Sequence, residues 1–189
     1  LVEKGYSALT MRALAAECRV SVPTLYRKFG GKQELVLEAV KDQFRSAILG
    51  QVLDAAGLHG HTRLLRLIEL CAAEIGRMPD YYRALLGVFV GESSSDGNSD
   101  NGPGAATAIN AEIMAEVRRS LQQMREAGDL ADWLDLDVTA QRIAAEGMIC
   151  AMQWGSGELG PEGYRDAYIF STCMLLLGVS TGEARLAFL

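Results

Sequence analysis

The 189-residue sequence has no apolar run of 18 or more residues, and its longest apolar segment, "YIFSTCMLLLGV" (168–179), is too short and too polar to span a bilayer. No secretory leader is recognisable. There is no initiator Met either: the chain opens at Leu1, inside what reads as a helix tail, so the natural N-terminus is expected to be missing. Disulfide spacing is also absent. The four cysteines (Cys18, Cys71, Cys150, Cys173) form no close pair, and each lies in an apolar, helix-like context where a free thiol behaves as a small hydrophobe. A reducing cytoplasm is the expected location. Strand-like alternation and internal repeats are missing too.

Catalytic and metal constellations are equally scarce. The only two histidines form "His-Gly-His" (59–61), with no Cys or acidic cluster near them in sequence, so no metal is expected and the pair reads as a polar joint between helices. "GESSSDG" (91–97) holds serines and an Asp but lacks the strand–turn–helix frame of a nucleophile elbow. "GSGELG" (155–160) joins two helices and follows no strand, which argues against a dinucleotide site. Neither a cofactor nor an enzymatic activity is expected.

What remains is helix. Segments are expected at about 10–17, 21–29, 32–52, 61–77, 80–91, 105–127, 136–155 and 161–179, with a short one after Gly182. "ESSSDGNSDNGPG" (92–104) is all turn formers and reads as a surface loop. "DAAGLHGH" (54–61) is a candidate joint between a small N-terminal unit and a larger helical body. Charge divides along the same line. Residues 1–45 carry eight Lys/Arg against five Asp/Glu, whereas the rest carries ten against nineteen, and all four lysines fall in the first 41 residues. Solvated helix faces could give this asymmetry by chance; so could a basic unit that meets a polyanion.

The local pattern favours the second. Thr10 is an N-cap for "MRALAAE", whose apolar face is Met11, Leu14 and Ala15. Cys18-Arg19-Val20 reads as a tight turn, Ser21 as the next N-cap, and Pro23 sits in a first turn where its missing N–H costs nothing. Leu25 and Phe29 share a face; Val22, Thr24, Tyr26, Arg27 and Lys28 occupy the others, and Gly30-Gly31 ends the helix. Two short helices joined by a three-residue turn, with one buried face and one cationic face, make a helix-turn-helix. Lys32 then opens the following helix, where free N–H groups and an ammonium together favour a phosphate.

The stretch "GYSALTMRALAAECRVSVPTLYRKFGGKQEL" (5–35) resembles the DNA-binding module of the tetracycline-repressor (TetR) family of bacterial regulators, in its Gly-Tyr, its "Val-Ser-x-x-Thr-Leu-Tyr-x-x-Phe" core and its "Lys-x-x-Leu". The resemblance implies that Thr24, Tyr26 and Lys32 contact DNA, chiefly its backbone. It implies that Arg12, Val22, Pro23, Arg27 and Lys28 sit where bases or nearby phosphates can be reached. Thr10 and Ser21, the capping residues, join this candidate set. Val22 either reads a thymine methyl or reads nothing. Arg19 stands where the family has Gly in the turn, and the family's first helix is largely absent, ending in "LVEKGY".

The expected architecture is therefore all-α: a helix-turn-helix unit at 1–45 and a helical ligand-binding and dimerisation domain at 46–189. Ala140, Ala144, Gly147 and Ala151 fall at steps of 4, 3 and 4, as do Ala167, Ser171, Met174 and Gly178. Small residues at that spacing let helix axes approach closely, either within one chain or, as preferred here, at a two-fold four-helix dimer interface. The resemblance also implies an effector pocket. Candidate lining residues are Leu67, Cys71, Tyr82, Phe89, Met114, Met148, Met152 and Trp154, and they point to a mostly apolar or aromatic small molecule. The expected function is a homodimeric, ligand-responsive regulator, preferentially a repressor, on a palindromic operator in double-stranded DNA. The alternative is a helical ligand-binding protein without specific DNA binding.

Overall fold

The computed structural model describes residues 9–51, 57–92 and 105–189. In chain order its helices are α1 (Met11–Glu17), α2 (Val22–Phe29), α3 (Lys32–Phe44) running into a π-helical turn (Arg45–Leu49), α4 (Gly60–Arg77), α5 (Pro79–Glu92), α6 (Ala105–Glu126), α7 (Leu136–Ser156), α8 (Pro161–Leu177) and α9 (Gly182–Ala187). Among the described residues there is no strand, only an isolated bridge between Leu130 and Ser180 that ties the α6–α7 loop to the end of α8. The helical expectations agree with these elements to within a few residues, apart from the π turn. The surface loop expected at 92–104 lies, from residue 93 onward, outside the described residues.

Local chemistry accounts for several helix starts. Thr10 caps α1 by accepting from the Ala13 N–H at 3.2 Å, and Asp135 caps α7 by accepting from Asp137 and Val138. The His59 N–H donates to Thr62 Oγ1 and the Thr62 hydroxyl donates back to the His59 carbonyl, which fixes the start of α4. His61 packs edge-on against Phe188, 6.2 Å between centroids. The His-Gly-His pair is thus occupied in starting α4 and closing it against α9.

The core has three parts. Met11, Ala15 and Leu25 are buried in the N-terminal unit, with Leu14, Val22, Phe29 and Leu35 packed on them. Val36 and Val40 of α3 meet Leu85 of α5 in a second cluster. The large third core joins Phe44 and Ile48 to α4, α6, α7 and α8, with Leu64, Ile68, Leu121, Ile143 and Leu176 wholly or almost wholly buried. A buried Arg63–Glu116 ion pair links α4 to α6, and Arg119 also binds Glu116 at 3.2 Å. Helix α3 contributes to all three clusters, and the expected boundary between residues 45 and 46 falls inside its continuous helical run.

Several sequence expectations are corrected by this packing. Ala140 and Ala144 are 1% and 2% exposed, and a Cβ built on Gly147 would lie 2.6 Å from the Tyr168 ring, so this face of α7 turns inward on its own chain and offers nothing to a partner. Ala151 is half-buried and packs on the same core. The outward face of α7 lies elsewhere on the helix, with Val138, Ile149 and Met152 exposed. Met152 accordingly cannot line an internal pocket. Leu67 fills the body core, and Met114 packs half-buried against it. Phe89 belongs to α5, but its side chain lies outside the described residues. Cys18 is exposed at the C-cap of α1 rather than held in an apolar context, whereas Cys71 and Cys150 are buried.

Candidate functional site

The N-terminal site is built from α1, the turn and α2. Ser21 Oγ accepts from the Thr24 N–H at 3.2 Å and lies 2.7 Å from Thr24 Oγ1, so two hydroxyls stand together at the start of α2. Pro23 occupies the first turn, which holds no acidic residue, and Arg27 and Lys28 occupy the last. Leu25 is 6% exposed while Tyr26, its sequence neighbour, is 50% exposed; Phe29 is half-buried on the same core as Leu25. The amphiphile therefore rests on its Leu/Phe side. Lys28 Nζ lies 5.0 Å above the Phe29 ring, so the apolar face also steadies one cation. Arg12, Arg19, Ser21, Pro23, Arg27 and Lys28 are exposed; Thr24 and Lys32 are half-buried, and Val22 is partly turned to the core.

Backbone geometry explains the sharp turn. Arg19 has φ +53°, the left-handed region, which costs a non-glycine residue on the order of 1 kcal/mol. Gly30, at φ +83°, ends α2 with its N–H on the Tyr26 carbonyl at 2.8 Å. Gly31 then caps α3 with no side-chain hydrogen bond, which places Lys32 at the first position of that helix.

A second site lies in the body. A cavity of about 90 Å³ is lined by α3, the π turn, and α4 to α8. Of the sequence candidates, Cys71, Tyr82, Met148 and Trp154 line it. So do Ala144, Gly147 and Ala151 from the supposed dimer face. Sequence reasoning missed Val40, Phe44 and Ile48, the aromatic pair Tyr164 and Tyr168, and Asn110. Their signal was present as i, i+4 spacing on α3 and α8. Burial pushes the Cys71 thiol up to about 12, which makes it an inert wall rather than a nucleophile. Burial likewise raises the Tyr82, Tyr164 and Tyr168 phenols, so all remain protonated at neutral pH. None of the described lining residues carries a charge. Among the described residues, no three His, Cys, Asp or Glu gather as metal ligands, and no helix is long and apolar enough to cross a membrane.

Residues 1–39, which span both short helices and the start of α3, match the family model described as bacterial regulatory proteins, tetR family. The N-terminal unit is that of the TetR family. Among curated proteins it is similar to an uncharacterized HTH-type transcriptional regulator of Mycobacterium tuberculosis H37Rv, with 38% identity over 90 residues. That match covers 46% of this chain and 41% of the length of the relative. Two solved TetR-family structures share the fold across almost the whole chain. The regulatory protein TetR from Rhodobacter sphaeroides aligns at TM-score 0.65 and 17% identity, covering 93% of this chain and 92% of that one. The R. erythropolis transcriptional repressor QsdR aligns at TM-score 0.59 and 20% identity, covering 96% and 94%. At these identities the likeness is one of fold.

Proposed function

We propose that this chain is a DNA-binding transcriptional regulator of the TetR type that acts as a homodimer on a two-fold operator and responds to a small molecule in the body. The observation that carries the proposal is the division of α2, with Leu25 buried and Tyr26, Arg27 and Lys28 presented outward. A helix of eight residues is about 12 Å long and fits a major groove about 12 Å wide. In this arrangement Tyr26, Thr24 and the α3 terminus at Lys32 meet phosphates, with Thr10, Arg12 and Ser21 beside them. Pro23, Val22, Arg27 and Lys28 approach base edges. Arg19 adds a cation where the family has Gly.

Two copies bring two such surfaces to one duplex. The outward faces of α7 and α8 are the proposed contact. On α8, Ala167 and Ser171 are half-buried, while Met174 and Phe170 are 60% and 66% exposed; on α7, Ile149 and Met152 are exposed. Exposed apolar side chains on two helices that pack together fit an interface better than open solvent. An effector in the cavity presses on Val40, Phe44 and Ile48 of α3 and thereby alters how far apart the two α2 helices lie. Its differential affinity for the two spacings sets the size of the response. Blocking polymerase at an operator makes repression the favoured outcome, and four unpaired thiols, two of them buried, fit a reducing cytoplasm.

The test is affinity of the full chain for duplex DNA as a function of salt. A dimer that meets six or more phosphates loses on the order of a thousandfold in affinity between 50 and 200 mM salt. Tyr26→Ala weakens all sequences alike, whereas Arg27→Ala changes which sequence is preferred. An absence of duplex binding at low salt refutes the proposal and leaves a helical small-molecule-binding protein.

A further inference from the structure

We infer that the body cavity selects an uncharged, compact, ring-bearing molecule by its hydrogen-bond acceptor, held between the Trp154 indole N–H and the Tyr168 hydroxyl, while Asn110 Oδ1 takes a donor on the same molecule. The inference rests on the effector role proposed above and gives that effector a chemistry.

Three residues that line the cavity each carry a buried polar atom with no protein partner: Trp154 Nε1, Tyr168 OH and Asn110 Oδ1. Trp154 and Tyr168 are 1% and 2% exposed. Folded chains pair nearly all such groups, as the buried Ser120 hydroxyl does by donating to the Glu116 carbonyl at 3.1 Å. Thr172, Ser180 and Arg125 also carry unpaired atoms, but none of them lines the cavity. Three orphans on one otherwise apolar wall thus form a set. Indole offers only a donor, a phenol offers a donor or an acceptor, and the amide oxygen offers an acceptor. A carbonyl or similar oxygen satisfies the first two, and an N–H or O–H satisfies the third. An ion is disfavoured, because entering the cavity would strip its water with no opposite charge on the described wall to replace it. The Arg83 guanidinium stacks 4.9 Å from the Trp154 ring centroid and pairs with Asp80.

Size adds a second limit. A cavity of about 150 Å³ accommodates a benzene, and this one measures about 90 Å³. A one-ring molecule therefore needs lining side chains to yield, and Val40 and Phe44, which line the cavity from α3, would couple occupancy to that helix.

The test crosses ligands with variants of the full chain. The ligands are benzamide, its near-isosteric hydrocarbon cumene, benzoate and benzylammonium, with Kd measured by calorimetry. Hydrocarbons favour any oily cavity, so each ligand is compared with itself between wild type and variant. Tyr168→Phe and Trp154→Phe each weaken benzamide by roughly tenfold and leave cumene within about twofold. Tyr168→Phe melts no lower than wild type, because its hydroxyl has no protein partner to lose. Equal effects on benzamide and cumene overturn the inference, as does benzoate or benzylammonium binding more tightly than benzamide. A Tyr168→Phe variant that melts several degrees lower also overturns it. Binding of the series without discrimination removes only this inference. Failure of every ligand to bind at millimolar concentration removes the effector role as well, while duplex affinity on the same sample stands as a separate outcome.

Discussion

Gly147→Ala decides which way the small-residue face of α7 looks. The added methyl would lie 2.6 Å from Tyr168 Cζ and 2.7 Å from both Cε1 and OH. Ordinary carbon contacts begin near about 3.5 Å, so the ring must move by roughly 1 Å. Overpacking of this kind costs about 1–3 kcal/mol. Against it stands the helix preference of Ala over Gly, worth about 1 kcal/mol. The single variant should therefore lose between roughly 0 and 2 kcal/mol, or up to about 8 °C in Tm for a chain of this size. In a Tyr168→Leu background all three opposing atoms are gone, and the same Gly147→Ala change should stabilise by about 1 kcal/mol. The cycle should show a coupling of about 1–3 kcal/mol. Urea unfolding followed by far-UV circular dichroism, at one protein concentration, measures all four proteins, and sedimentation checks that association is unchanged. Effects that add to within about 0.5 kcal/mol, or a single variant that changes association rather than stability, would refute the inward packing.

Three further outcomes are expected. Arg19→Gly relieves the left-handed φ of +53° and should raise stability by about 0.5–1 kcal/mol in denaturant titration, while lowering duplex affinity if the guanidinium meets DNA. Leu25→Ala should cost about 2–3 kcal/mol and abolish duplex binding, whereas Tyr26→Ala should change stability by less than about 0.5 kcal/mol yet still weaken binding; equal melting losses in both would mean the amphiphile faces the other way. The Glu74 carboxylate is held below its ordinary range chiefly by its hydrogen bond from Arg77, and also by Gln43, so its contribution is present at neutral pH and is lost as pH falls below the ordinary glutamate value of about 4.3. Because Arg77 is largely exposed, Glu74→Gln should remove less than about 1 kcal/mol of this acid-side dependence in urea melts at a series of pH values.

The helices were legible because their ends carry chemistry: Thr10, Ser21 and Asp135 accept from the N–H groups expected of capping residues. The α2 surface was legible for a related reason. An eight-residue helix with Leu25 and Phe29 four apart has one way to bury them, and the remaining faces follow. The body was harder. Ala140, Ala144 and Gly147 declare that something approaches α7 closely, but small residues do not say whether the neighbour is α8 of the same chain or a helix of another. Tyr168 answers that in three dimensions, filling the space that Gly147 leaves. Met and aromatic candidates divided in the same way. Cys71, Tyr82, Met148 and Trp154 line the cavity while Leu67 is sealed in the core and Met152 faces out, because helical spacing fixes relative faces but not which face meets an empty space. The π turn at Arg45–Leu49 left no signal in the apolar pattern.

Helix α3 is where the two sites become one machine under the proposed function. Leu35 packs on the N-terminal core, Val36 and Val40 pack on Leu85, and Phe44 and Ile48 reach into the body. Val40, Phe44 and Ile48 also line the cavity, so a ligand that enlarges it pushes on the same helix that begins at Lys32. Two polar ties resist this: Gln43 Nε2 donates to Glu74 at 2.9 Å, and Arg45 binds Glu112 at 2.5 Å. The Arg45 pair is partly exposed and contributes little by itself, whereas Glu74 is buried and loses one of the three hydrogen bonds its carboxylate accepts if α3 withdraws. The body end of α3 is therefore the better anchored. Its opposite end meets α2 through Gly30, at φ +83°, and the extended Gly31, where the lack of side chains permits a change of direction. Motion imposed at Phe44 is then expressed at α2, the surface that the proposal places in the groove.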